Sequence, residues 1–357
     1  MKYLITFLII ILLGIGGFLY FKPQKTLELL PNLTITQVST PKEPVLVVEK
    51  PQSPISINYL RSLKIDSDKP VIEREMYRNS LYTSYIAYYY SEGFKVYGLL
   101  TIPNSPVPEG GFPAIVFNHG YIPPKSYSTT SNYAAYVDYL ARNGFVVFKI
   151  DMRGHGKSEG TATGSYFSST YTKDAISALK SLQKLEKVNK DKIGIWGHSM
   201  SGNLVLRAME VEKDFKAGVI WAGAVYSYED FYDLRITDSS YSMPITTEPA
   251  LNINRDYSEE ISKIRNRSSK PDFTNEYWRS ISLTSNLDYL TNPLQIHHAT
   301  NDNVVSINYS RGLVDYLKKG NKNYEYYEYP GGGHNITGVY FNQAMERTVK
   351  FFKNSLN

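Results

Sequence analysis

From Ala114 onward the chain repeats one pattern: a short, nearly continuous apolar run, then a longer helix-compatible stretch, then another run. The runs read FPAIVFN, FVVFKID, KIGIWG, AGVIWAG, LQIHHA and YEYYEYP, and a last helical stretch ends near Phe352. Apolar runs without alternation suit strands covered on both faces. The stretches between them supply the crossovers that parallel neighbours require. Ahead of the first run, YTSYIAYYYSEGFKVYGLLTIP holds two β-prone segments around Ser91-Glu92-Gly93, a hairpin signal. The expected architecture over residues 82–357 is therefore an α/β domain, a mostly parallel sheet with helices on both faces. Residues 226–285 break the rhythm; they are rich in Tyr, Ser and charge and too long for an ordinary loop. An inserted cap or lid with short helices is expected there.

The N-terminus obeys other rules. Residues 3–21 are uncharged and apolar between Lys2 and Lys22. As a helix they would span roughly 28 Å, the depth of a hydrocarbon core. No small-x-small cleavage site comes after them, so residues 1–22 are expected to form an uncleaved transmembrane anchor, the alternative being a cleaved secretion signal. The lysines on either side nearly balance; a single-pass anchor with the rest of the chain extracytoplasmic is the expected orientation. Pro23, Pro31, Pro41, Pro44, Pro51 and Pro54 punctuate the next segment, and residues 23–81 read as a semi-extended tether.

Composition excludes more than it proposes. The chain has no Cys, which removes disulfides, thiolate metal sites and a Cys nucleophile together. Its net charge of +5 is scattered, with no basic stripe, so no nucleic-acid partner is expected. The 31 Tyr are expected chiefly at half-buried surface positions.

The chemistry centres on IGIWGHSMSGN, residues 193–203. A strand, a tight turn and a helix are the context of a nucleophile elbow, with Ser199 at its apex. The usual G-x-S-x-G pattern has Gly two residues after the Ser, and here Ser201 stands there. Ser201 is read as a packing substitution, so Ser201→Gly is expected to keep activity; Ser201 as the nucleophile is the rival reading. A Ser nucleophile needs a base, a carboxylate to orient it, and N–H donors for the oxyanion. Of six His, His119 closes a core strand, His155 lies in a turn, His198 sits inside the elbow, and His297 and His298 end a strand. His334, on the Gly-rich loop YPGGGHNITG before the last helix, is left as the base. Asp302 is the only acid in TNDNVVSIN, the loop after LQIHHA. The order Ser199, Asp302, His334 is that of G-x-S-x-G hydrolases. The N–H groups of Tyr121 and Met200 are the candidate oxyanion donors. No metal or organic cofactor is implied.

Taken in order, YGLLTIP, FPAIVFNHGY, DMRGHGKSEG, GHSMSG, HATNDNVV and YPGGGHN resemble the landmarks of the alpha/beta-hydrolases. The similarity is greatest to the prolyl oligopeptidase and dipeptidyl aminopeptidase/acylaminoacyl peptidase group. The resemblance implies a Ser199–Asp302–His334 triad, an oxyanion hole from Tyr121 and Met200, and hydrolysis of an ester or amide in a small molecule or peptide. Two departures stand out: Ser201, and a region before residue 82 too short for that group's substrate-screening β-propeller. Serine peptidase, carboxylesterase or lipase-like esterase, and non-catalytic tethered binding protein remain as three readings.

Overall fold

The computed structural model describes residues 53–234, 236–242 and 258–356. The strands are β1 (Val71–Arg78), β2 (Tyr82–Ser91), β3 (Phe94–Pro103), β4 (Phe112–Asn118), β5 (Val146–Ile150), β6 (Val188–His198), β7 (Ala217–Trp221), β8 (Leu294–Ala299) and β9 (Tyr324–Tyr329). They form one sheet in the order β1-β2-β3-β5-β4-β6-β7-β8-β9. The first three pair antiparallel, β3 also runs antiparallel to β5, and every pairing from β5 to β9 is parallel. This is the expected mostly parallel sheet behind an opening hairpin. The hairpin turn sets both Glu92 (φ 50°) and Gly93 (φ 82°) at positive φ, as a tight two-residue connection between right-twisted strands requires.

The helices used below are α1 (Ile57–Ser62), α2 (Ala134–Arg142), α3 (Thr170–Leu182), α4 (Ser201–Val211), α5 (Asp230–Asp233), α6 (Ser258–Arg265), α7 (Glu276–Ile281), α8 (Asn308–Lys319) and α9 (Val339–Ser355). Helices α3 and α4 cover one face of the sheet, and α2 and α9 cover the other. The strands explain why both faces need cover. In β4, Ala114 and Val116 enter one core while Ile115 and Phe117 enter the other. In β6, Ile193 and Ile195 face the first core and Trp196 the second. Each such fully buried aliphatic side chain contributes about 1.5–3 kcal/mol over leaving it in water.

Several expectations change here. Residues 53–81 are not a tether: they hold α1 and the edge strand β1. Ile55 and Ile57 join the core, and the Arg61 guanidinium donates to the Glu210 carbonyl at the end of α4 (2.7 Å). The single-pass membrane placement is overturned for the described residues, where no helix is long and apolar enough to cross a membrane. The expected span at residues 1–22, and the tether as far as residue 52, lie outside the described residues. The Tyr residues are also deeper than expected: Tyr89, Tyr166, Tyr171, Tyr226, Tyr228, Tyr309 and Tyr329 are fully buried. Between β7 and β8, where the cap was expected, the described residues carry α5, α6, α7 and 3-10 turns; residues 235 and 243–257 of it are not among them. Phe231 anchors that segment against Tyr166 and Phe167, and Trp278 packs on Tyr228 within it.

Candidate active site

Strand β6 hands over to α4 within two residues, and the turn is tight enough to force Ser199 to φ 55°. A non-glycine residue in that region carries strain, which the surroundings must hold in place. The Ser199 N–H extends the β6–β7 ladder by donating to the Trp221 carbonyl (2.8 Å), and the Ser199 carbonyl accepts from Gly202 N–H (2.8 Å). Close approach makes the flanking glycines obligatory. A Cβ on Gly197 would lie 2.6 Å from Val205 Cγ2, and one on Gly202 would lie 2.6 Å from the Gly223 Cα. The glycine that this turn needs after Ser199 is thus Gly202.

Ser201 is correspondingly not a mere filler. Its side chain is fully buried, and its hydroxyl donates to the His119 carbonyl (2.5 Å). The expectation of a purely steric role is corrected: the hydroxyl has a bonded partner that Gly cannot supply. With its hydroxyl engaged there, Ser201 is not among the residues lining the cleft, whereas Ser199 is, which argues against Ser201 as the rival nucleophile.

The loops after β8 and β9 bring Asp302 and His334 together. Asp302 Oδ2 lies 2.7 Å from His334 Nδ1, and the Asp302 side chain is fully buried. The same oxygen lies 3.1 Å from His298 Nε2, while Oδ1 accepts from the Val304 and Val305 amides at 2.8 and 2.9 Å. Burial alone would raise this carboxyl, but the bonds from His298, His334 and the Val305 amide outweigh it and hold Asp302 well below the usual carboxylate range. His298, expected only as a strand-end residue, thus faces Asp302 and also the Val305 carbonyl (3.1 Å); a carbonyl only accepts, so Nε2 carries a proton there, and in the neutral ring Nδ1 then accepts from Ser310 (2.8 Å). An adjacent acid four residues on was the only sequence signal for this contact.

Ser199 and His334 line one cleft of ≈ 520 Å³, together with Tyr121, Tyr133, Asp238 and Val304. No hydrogen bond joins the Ser199 and His334 side chains in this structure; His334 bonds through Nδ1 to Asp302 and through its carbonyl to His198. The backbone N–H groups of Tyr121 and Met200 are used by no protein acceptor among the described hydrogen bonds. Asp238, from the segment after β7, is a carboxylate at the cleft that sequence reasoning did not single out; an Asp among many polar loop residues gave no signal.

A run of bonds crosses the cleft floor. Gly120 N–H donates to Tyr133 Oη (2.9 Å), Tyr133 Oη lies 2.7 Å from His198 Nδ1, and His198 Nε2 lies 2.9 Å from the His334 carbonyl. Because an amide only donates and a carbonyl only accepts, the proton directions are fixed: Tyr133 donates to Nδ1 and His198 Nε2–H donates to His334. Burial, reinforced by His334 nearby, pushes His198 down to about 3, so it stays neutral in this role. Gly120 has no room to vary here, since a Cβ would sit 2.7 Å from Tyr133 Oη and 3.1 Å from Ser199 Cβ. His155 ties down the neighbouring loop through its Nε2, 3.1 Å from the Ile122 carbonyl. Among the described residues no His/Asp/Glu group is arranged to hold a metal.

A parallel sheet opened by an antiparallel hairpin, with a Ser on a strained strand-to-helix turn and an Asp–His pair on the later loops, defines an alpha/beta-hydrolase. The chain belongs to the family described as serine aminopeptidase, S33, whose model matches residues 113–338. Among curated proteins it is 33% identical over 155 residues to the uncharacterized peptidase YtmA of Bacillus subtilis, covering 42% of this chain and 56% of that one. It is 27% identical over 224 residues to the probable dipeptidyl-aminopeptidase B of Metarhizium robertsii, covering 60% of this chain and 21% of that protein. The chain thus spans about half or less of these relatives. Similar solved structures include an acetyl xylan esterase from Paenibacillus sp. R4 (TM-score 0.60, 16% identity, 84% of this chain and 92% of that one). Another is a puromycin-hydrolyzing peptidase of Mycobacterium tuberculosis (TM-score 0.59, 22% identity, 78% of this chain and 40% of that one). At these identities the likeness is one of fold.

Proposed function

We propose that this chain is a serine hydrolase that cleaves an ester or amide through an acyl-enzyme. The observation that carries the reading is the buried Asp302–His334 hydrogen bond in the same cleft as Ser199 on its strained turn. Ser199 Oγ attacks the substrate carbonyl carbon while His334 Nε2 takes the hydroxyl proton. Asp302 keeps the His334 proton on Nδ1, so that Nε2 is free to accept. The negative charge that develops on the substrate oxygen is met by the Tyr121 and Met200 amides. Collapse expels the alcohol or amine with the proton from His334. Water, deprotonated by the same nitrogen, then releases the acid and restores Ser199.

The substrate reading is peptidase-like, in keeping with the family and with the resemblance to the prolyl oligopeptidase group. Asp238 supports it: a carboxylate lining the cleft offers a counter-charge to a substrate amine. Residues 226–285, which supply Asp238, would then act as the cap that screens substrates. The second reading, a carboxylesterase, is favoured by the match to the acetyl xylan esterase along 92% of its length against 40% of the puromycin-hydrolyzing peptidase.

Labelling with a fluorophosphonate probe tests the shared chemistry, with Ser199→Ala as control. Wild-type protein should label and the variant should not; an unlabelled wild type, or a labelled variant, ends the serine-hydrolase reading. A panel of p-nitrophenyl esters against aminoacyl and prolyl anilides then separates the two substrate readings. Turnover of free-amine anilides that falls on Asp238→Asn, with neutral esters unaffected, supports the peptidase; ester turnover alone supports the esterase.

A further inference from the structure

The residue at which the elbow departs from its usual spelling touches the opposite wall of the site. Ser201 Oγ donates to the carbonyl of His119, and the N–H of that same peptide unit, on Gly120, donates to Tyr133 Oη (2.9 Å). The next peptide unit is held too, because His119 Nδ1 lies 2.7 Å from the Gly120 carbonyl. A carbonyl only accepts, so the Nδ1 proton is donated to it. Both peptide bonds are trans, since the described chain has no cis peptide. In a planar trans unit the N–H points opposite to the C=O. Fixing the Gly120 carbonyl toward the His119 ring therefore turns the Tyr121 N–H the other way, and Tyr121 lines the cleft.

We infer that Ser201, with Tyr133 and the His119 ring, is a positioning residue that sets the aim of the Tyr121 amide, the oxyanion donor of the proposed reaction. None of the three side chains meets the substrate oxygen. They clamp two successive peptide units, at the His119 carbonyl, the Gly120 N–H and the Gly120 carbonyl. A Gly at position 201 would satisfy the packing of the turn and leave the first of these points unheld. The hydroxyl of Ser201 thus supplies, from α4, an anchor for the β4 side of the oxyanion site. This rests on the serine-hydrolase reading and refines it.

The test uses the full chain and p-nitrophenyl acetate, with Ser201→Ala, Ser201→Gly and Tyr133→Phe. Losing an oxyanion donor outright costs about 10²–10³ in kcat, so a mis-aimed donor should cost about 10- to 100-fold. KM should stay within about threefold, because the ground-state ester makes little use of the amide. Affinity for phenylboronic acid, whose tetrahedral adduct on Ser199 requires the same donor, should fall in parallel with kcat. Thermal unfolding checks that each variant is folded; if a Ser201 variant does not fold, Tyr133→Phe, which releases the other end of the same peptide, carries the measurement. Folded variants that keep kcat within about twofold overturn the inference, as does a loss of kcat with phenylboronate affinity unchanged. A wild-type protein that neither turns over the ester nor labels with fluorophosphonate instead overturns the serine-hydrolase reading beneath it.

Discussion

Replacing Asp302 by Asn removes a charge and turns one of two acceptor oxygens into a donor. Both oxygens are already fully engaged: Oδ1 by the Val304 and Val305 amides, Oδ2 by His334 and His298. Whichever way the amide is turned, its NH₂ group meets two N–H donors. Facing the backbone, it breaks the turn that carries Val304 to the cleft. Facing the histidines, it drives the His334 proton from Nδ1 to Nε2, the nitrogen that accepts the Ser199 proton in the proposed reaction. Bonds to a charged group are worth about 1.5–3 kcal/mol each, and with the NH₂ group facing the backbone two are lost, so in that orientation stability should fall by about 3–6 kcal/mol. A base held in the wrong tautomer lowers kcat by about 10⁴ in the serine-protease template, and a loss of about 10³–10⁴ is expected here. Ester hydrolysis together with urea denaturation measures both quantities. A folded Asp302→Asn protein that keeps kcat within about tenfold would refute the claim that this carboxylate orients the base.

Two further outcomes concern stability. Burial pushes the Asp230 carboxyl from 3.8 up to about 7 despite bonds from the Ser227 and Tyr226 amides. With the folded value raised above the unfolded one, the group's contribution is full below about pH 4, fades as pH rises, and is gone by about pH 7, at up to about 1.4 kcal/mol per pH unit. Asp230→Asn should remove that slope, so thermal midpoints of wild type and variant should diverge across this window; parallel curves would contradict the assignment. Arg153 pairs with Asp174 at 2.5 Å and with Glu92 at 3.0 Å, in a site where the Asp174 side chain is fully buried. Arg153→Met strands that carboxylate and should cost about 3–5 kcal/mol in urea denaturation, whereas a cost within the scatter of surface substitutions would show the pair to be dispensable.

Much of this architecture could be read from the chain because double burial leaves a strong mark. The parallel strands inside the sheet must be apolar over most of their length, and the runs from Ala114 to Ala299 say so directly, whereas the edge strand β9 is half polar. The Ser199, Asp302 and His334 positions were legible because each occupies a loop at the end of one such run. The elements that escaped reading lack that mark. All eight residues of β1 are exposed, so VIEREMYR carries no core pattern, and α1 is only six residues long. The buried Tyr residues were misplaced because ring burial depends on which element covers them, and Phe231 and Trp278 lie in a segment without clean periodicity. Ser201 and His298 were undervalued for a related reason. Their partners, the His119 carbonyl and the Asp302 carboxylate, are set by how loops fold back over the sheet edge, which spacing along the chain does not encode.

The bonds running from Gly120 through Tyr133 and His198 to the His334 carbonyl join the Gly120–Tyr121 side of the cleft to its His334 side. The consequence is that residues 120, 133 and 198 are coupled through shared bonds. Removing the hydroxyl at position 133 leaves both the Gly120 N–H and His198 Nδ1 without that partner, so the three positions cannot be altered independently. Asp238 and Val304 line the same cleft but take no part in that run, so their side chains can be exchanged singly without breaking any of its bonds.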